Sequence, residues 1–110
     1  MSIEHHMQGD ILVLRPIGRL DSSSAPDLER LLKEQLGGGV KRVLFDFADL
    51  DYISSAGLRV VLLAGKGVRS AQGKMVLSGM RDMVLDVFEM SGFLTLFAAA
   101  ADVDQGLGRF

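Results

Sequence analysis

From residue 2 the chain alternates, with Ile3, His5 and Met7 on one side, before Gly9-Asp10 offers a turn into the apolar run Ile11, Leu12, Val13 and Leu14. This pattern predicts a β-hairpin. Pro16 should end ladder pairing on at least one side of the second strand, and Gly18-Arg19-Leu20-Asp21 leads out of it. Ser24 then stands where a helix cap belongs, with Ala25, Pro26 and Asp27 suited to the first turn. Leu28, Leu31, Leu32 and Leu36 make one apolar stripe, and Gly37-Gly38-Gly39 stops the helix. Residues 40–47 are apolar on both faces, the mark of an interior strand covered by helices. A loop over 48–53 leads to Ser54-Ser55 and a second helix, in which Leu58, Val61, Leu62 and Val68 recur at helical spacing until Gln72-Gly73. Lys74–Ser78 reads as a short strand, and Met83, Val84, Val87 and Phe88 mark a third helix that stops at Ser91-Gly92. Residues 93–97 are expected to supply a last strand and 102–107 a short closing helix.

The order β-β-α-β-α-β-α-β-α predicts an α/β fold, a single domain over residues 1–110. Its sheet should be mixed and mostly parallel, with about four helices and an antiparallel first strand. Composition then narrows the function. Hydrophobic residues at 48% and charged residues at 24% are those of a globular chain. A net charge of −2 with dispersed Lys and Arg supplies no field for nucleic acid, which is not expected as a partner. Cysteine is absent, which removes disulfides, thiolate metal sites and a Cys nucleophile. With no basic or apolar leader pattern at the start, the cytosol is the expected setting. The longest apolar stretches, 60–64 and 97–101, are far too short to cross a bilayer, so membrane insertion is not expected.

The sharpest local feature is Asp51-Tyr52-Ile53-Ser54-Ser55-Ala56-Gly57-Leu58, which sets two hydroxyls where a loop from an interior strand enters a helix. Such a junction offers free backbone N–H groups and the positive end of the helix dipole, a combination suited to an anion. A serine there also reads simply as a helix cap. Asp21 and Asp46, at the ends of two strands, are expected to emerge on the same edge, where the sites of open α/β sheets collect. His5 and His6 are adjacent on a strand and point to opposite faces, so they do not converge on one metal. Gly37-Gly38-Gly39 and Gly65-Lys66-Gly67 lack the Lys-Ser/Thr of a phosphate loop. Ser55 lacks the first glycine of a Gly-x-Ser-x-Gly elbow, and the only histidines lie on the first strand. No enzyme activity, cofactor or metal is expected.

Three stretches taken in order resemble the STAS family of anti-sigma factor antagonists. They are Gly18-Arg19-Leu20-Asp21 before a Ser-rich helix start, Val43-Leu44-Phe45-Asp46 at a strand end, and Tyr52-Ile53-Ser54-Ser55-Ala56-Gly57-Leu58. The match in spacing and element order runs from about residue 3 to residue 107. In the phosphorylated members the helix-start motif reads Asp-Ser-Ser/Thr-Gly-Leu, and the anti-sigma factor, itself a serine kinase, phosphorylates the first serine. Aligned from Gly57-Leu58, the resemblance places that serine at Ser55, with Ser54 as the alternative. Ser54 stands where those members have Asp, and Ala56 where they have Ser or Thr. The resemblance further implies a docking surface of Asp21, Ser22, Asp46, Ser54, Ala56, Gly57 and Leu58. The implied partner is an anti-sigma factor or related serine kinase, sequestered while the serine is unphosphorylated. A second implied role is that of a non-phosphorylated STAS accessory subunit of an ABC-type lipid transport complex.

Overall fold

Ser2–Gln8 (β1) and Ile11–Leu20 (β2) pair antiparallel, from Ser2 opposite Ile17 to Gln8 opposite Ile11, and turn through Gly9 at φ +63°. The computed structural model that shows this describes residues 2–110. Beyond the hairpin come helix α1 (Ala25–Gly37), strands β3 (Arg42–Asp46) and β4 (Leu50–Ile53), and helix α2 (Ser55–Ser70). Strand β5 (Lys74–Ser78), helices α3 (Asp82–Met90) and α4 (Phe93–Leu96), strand β6 (Ala98–Ala100) and helix α5 (Val103–Leu107) complete the order. The sheet runs β1-β2-β3-β5-β6, parallel throughout except for β1.

Strand β2 has two parallel partners in succession. β3 pairs with its first part, up to Leu14 opposite Phe45, and β4 pairs with its last part, from Gly18 to Leu20. Pro16 falls in the gap between them, where no ladder N–H is needed, and on the other side it faces Ile3 of β1.

Alternation along β2 feeds two cores. Leu12 and Leu14 join Val43, Phe45 and Leu77 beneath Leu28 and Leu32 of α1, Val61 and Val68 of α2, and Val84 and Phe88 of α3. Phe45, Phe47, Phe88 and Phe93 form a chain of ring contacts through this layer, with centroids 5.1–5.5 Å apart. Burying each such side chain contributes about 1.5–3 kcal/mol. On the opposite face, Ile11, Val13, Leu44 and Val76 are covered by Ala98, Ala100, Val103, Leu107 and Phe110.

Four local expectations are corrected. Residues 50–53, expected as loop, are strand β4, because they continue the path of β3 along the free part of β2. Residues 93–97 do not form a strand. Gly92 turns the chain at φ +79°, and the Thr95 hydroxyl donates to the Gly92 carbonyl at 2.6 Å, closing the single turn α4. The last strand is Ala98–Ala100 instead. Ser24 does not cap α1 with its side chain, since its hydroxyl turns back to the Arg19 carbonyl at 2.9 Å and receives the Asp21 N–H. Within α2 the buried line is Gly57, Val60, Val61, Ala64, Gly65 and Val68, so small residues bring the helix onto the sheet while Leu58 and Leu62 flank it half-buried.

Candidate functional site

The mouth of α2 is tied directly to the end of β2. The Ser54 N–H donates to the Leu20 carbonyl at 2.9 Å, which fixes where the chain leaves β4 and enters the helix. Ser54 is the N-cap residue in extended conformation, and its hydroxyl accepts the Gly57 N–H at 3.4 Å. Ser55 is the first helical residue and is exposed. The two serines therefore divide their work. Ser54 uses its oxygen to close the helix, whereas the Ser55 hydroxyl faces solvent beside the positive end of the dipole, with no acidic residue in the first turn.

Gly57, expected on the docking surface, lies beneath it. It is buried, and a β-carbon there would stand 2.7 Å from the Leu20 carbonyl oxygen, 2.8 Å from Leu20 Cγ and 2.9 Å from Ile53 Cγ1. Its bareness lets the first turn of α2 rest on the ends of β2 and β4. Ala56 and Leu58 are half-buried on either side, and Leu58 packs against the main core.

Asp21 follows immediately on Leu20 and so adjoins the same junction. Its Oδ1 accepts from the Ser23 hydroxyl at 2.7 Å and the Ser23 N–H at 3.0 Å. Those two bonds, the hydroxyl first, hold its carboxyl below the ordinary carboxylate value of 3.8. Asp21 is thus an anion that organises the approach to α1, and Ser22 is exposed at the apex of that turn.

Asp46 is set apart. Its Oδ1 accepts the Ala48 N–H at 3.0 Å and its Oδ2 lies 4.0 Å from Arg15 Nε. Because β3 leaves β2 at Leu14, Asp46 sits about six residues, roughly 20 Å along the strand, behind Asp21. Asp21 and Asp46 thus stand at the ends of parallel neighbouring strands but at different heights, and the inserted strand β4 carries the chain onward from Asp46 to the α2 mouth.

Two residues inside the motifs make a contact that their spacing in the sequence does not show. Arg19 and Tyr52 are paired across β2 and β4, with the Arg19 guanidinium 4.1 Å from the centre of the Tyr52 ring. Arg19 Nε also lies 3.9 Å from Asp21 Oδ2. This cation–π pair lies at the surface between the Asp21 turn and the α2 mouth. Only knowledge that residues 50–53 form a strand beside β2 could have revealed it.

The described residues hold no cluster of three or more His, Cys, Asp or Glu placed for a metal, and none of their helices is long and apolar enough to cross a membrane. What the site offers is a presented hydroxyl on a rigid helix start, rimmed by hydrogen-bonding side chains.

Comparison with known proteins places this geometry in context. The family model of the STAS domain matches residues 2–106. A Bordetella bronchiseptica protein named as the anti-sigma factor antagonist BtrV is 49% identical over 93 residues, covering 84% of this chain and 80% of that protein. A Thermotoga maritima structure described as an anti-sigma factor antagonist superimposes with a TM-score of 0.93 at 17% identity, covering 97% of this chain and 92% of the other. The phosphorylated form of the Bacillus cell fate determinant SpoIIAA superimposes with a TM-score of 0.80 at 20% identity, covering 98% of each chain.

Proposed function

The chain belongs to the STAS domain family, and from that premise we propose that it is an anti-sigma factor antagonist that binds an anti-sigma factor or related serine kinase and is released by phosphorylation of Ser55. The observation that carries this reading is the division between the two serines. Ser54 is occupied as the helix cap, and Ser55 presents its hydroxyl on the first turn. The relationship to BtrV supports the partner class.

The physical logic is a surface switch in the cytosol. Unmodified, the α2 mouth docks the partner through Ser54, Ser55, Ala56 and Leu58 together with the Asp21-Ser22 turn, while Asp46 lies on a more distant part of the same edge. Phosphorylation adds about −1.5 to −2 charges at that contact. The helix N-terminus accommodates the phosphate, so the domain stays folded and docking alone is lost.

The test is incubation with the partner kinase and ATP, mass spectrometry of the peptide holding Ser54 and Ser55, and a binding titration of Ser55→Ala and Ser55→Glu. Phosphate on Ser55, retained binding by Ser55→Ala and at least about tenfold weaker binding by Ser55→Glu are expected. Phosphate on Ser54 alone moves the acceptor by one residue. Phosphate on neither, with a partner that binds, removes the switch and leaves a passive docking subunit.

A further inference from the structure

The outer face of α2 carries a feature that the phosphoacceptor does not explain. At 3.6 residues per turn, Arg59, Leu62, Lys66 and Arg69 all fall within about 40° of Ser55 around the helix axis, along about 21 Å of helix. Arg59, Lys66 and Arg69 are exposed, Leu62 is half-buried, and the helix contains no carboxylate. In a chain of net charge −2, this is a coherent basic stripe with Ser55 at its N-terminal end.

The stripe is also unpaired. Arg15, Arg19, Arg30, Lys33, Arg42 and Arg81 each stand within 4.0 Å of a carboxylate; among the described residues Arg59, Lys66 and Arg69 have none, and neither do Lys41, Lys74 and Arg109, but only the first three share one helix face. Intramolecular ion pairing therefore does not account for them.

Resting on the function proposed above, we propose that this stripe is the second half of the docking surface and that it receives an acidic surface of the partner kinase. Charge complementarity selects that occupant, and it also explains the sign of the switch. A phosphate at Ser55 adds about −1.5 to −2 charges at one end of a three-cation stripe, one turn from Arg59. An acidic partner then loses attraction along the helix and meets repulsion at its mouth. An anionic lipid surface is the poorer fit. Interfacial helices bury a broad apolar face, and here the outward side of α2 offers only the half-buried Leu62 and the exposed Leu63 beside the cations.

The experiment is a titration of the purified partner kinase with wild type, the double variant Lys66→Glu/Arg69→Glu, Ser55→Glu and, as control, Lys41→Glu, an exposed cation outside the stripe. Melting curves verify that all four remain folded. The double variant should bind at least about tenfold more weakly at roughly 0.05 M salt, with the difference shrinking to about threefold or less near 0.5 M as screening takes over. Lys41→Glu should stay within about twofold of wild type. If Ser55→Glu loses binding while the double variant keeps wild-type affinity, the stripe is overturned and the proposed function stands. If wild type neither binds the kinase nor is phosphorylated by it, the proposed function falls and the stripe with it. Binding to phosphatidylserine vesicles in place of the kinase, abolished in the double variant, overturns the proposal in favour of a lipid surface.

Discussion

Replacing Gly57 by alanine tests how closely the α2 mouth is seated on the sheet. The added β-carbon meets three atoms inside 3.0 Å, two of them on Leu20, and the nearest is the backbone carbonyl oxygen. That oxygen cannot rotate away, because it already holds the Ser54 N–H at 2.9 Å. Relief requires lifting the first turn of α2, so overpacking of about 1–3 kcal/mol combines with weakening of a hydrogen bond whose net value is about 0.5–1.5 kcal/mol. Against this, alanine is the better helix former by up to about 1 kcal/mol. The balance is a loss of about 1–3 kcal/mol, and Gly57→Val should lose more because its branches enter the same gap. Urea unfolding followed by circular dichroism gives the number directly, with a shift in midpoint at constant slope. For a chain of this length the melting temperature should fall by roughly 4 °C per kcal/mol. If Gly57→Ala is as stable as wild type, or gains the fraction of a kcal/mol expected of an exposed helical glycine, the close approach of α2 to Leu20 is refuted.

The remaining predictions concern the same junction. Ser54→Ala should cost about 0.5–1 kcal/mol in urea unfolding, the low end for a cap, because the bond from Gly57 is long at 3.4 Å. Leu58→Asp should cost roughly 3 kcal/mol and lower the melting temperature by about 10 °C, since it pushes a carboxylate against the main core. Wild-type melting would instead place Leu58 on a free surface. Asp21 has its carboxyl depressed in the folded state, so its contribution is present above the ordinary carboxylate value of 3.8 and is lost as pH falls through the lower folded value. Asp21→Asn should therefore show a shallower loss of stability below that pH than wild type, and parallel acid-unfolding curves would refute the bonding to Ser23.

Much of this architecture was legible because the periodicities are clean. The hairpin, the α1 stripe, the apolar β3 and β5 and the extent of α3 all follow from spacing alone. The failures share a cause, which is that their signals are tertiary. Leu50–Ile53 is a strand because it finds the part of β2 beyond Leu14 that β3 leaves unpaired. Ala98–Ala100 has no alternation to read, and its apolar predecessor Phe93 turns helical under the constraint of Gly92. At the site, the Ser54-Ser55 motif could be found by inspection, but which serine caps and which is presented depends on one hydrogen bond to Gly57. The separation of Asp46 from Asp21 was not legible, because a sequence does not reveal that β2 runs on six residues past its last pairing with β3.

Helix α2 has two sides with separate obligations. Gly57, Val60, Val61, Ala64, Gly65 and Val68 are committed to the sheet, and any change there is felt by the fold. Positions 59, 66 and 69 are exposed and carry little of that burden, so they can drift without moving Ser55, whereas Leu62 packs against the core. A cell that holds several such domains can thus keep its signalling channels insulated from one another by rewriting a handful of outward positions on a shared chassis. Transplanting those three residues between paralogues should carry partner choice with them while leaving the donor's thermal stability behind.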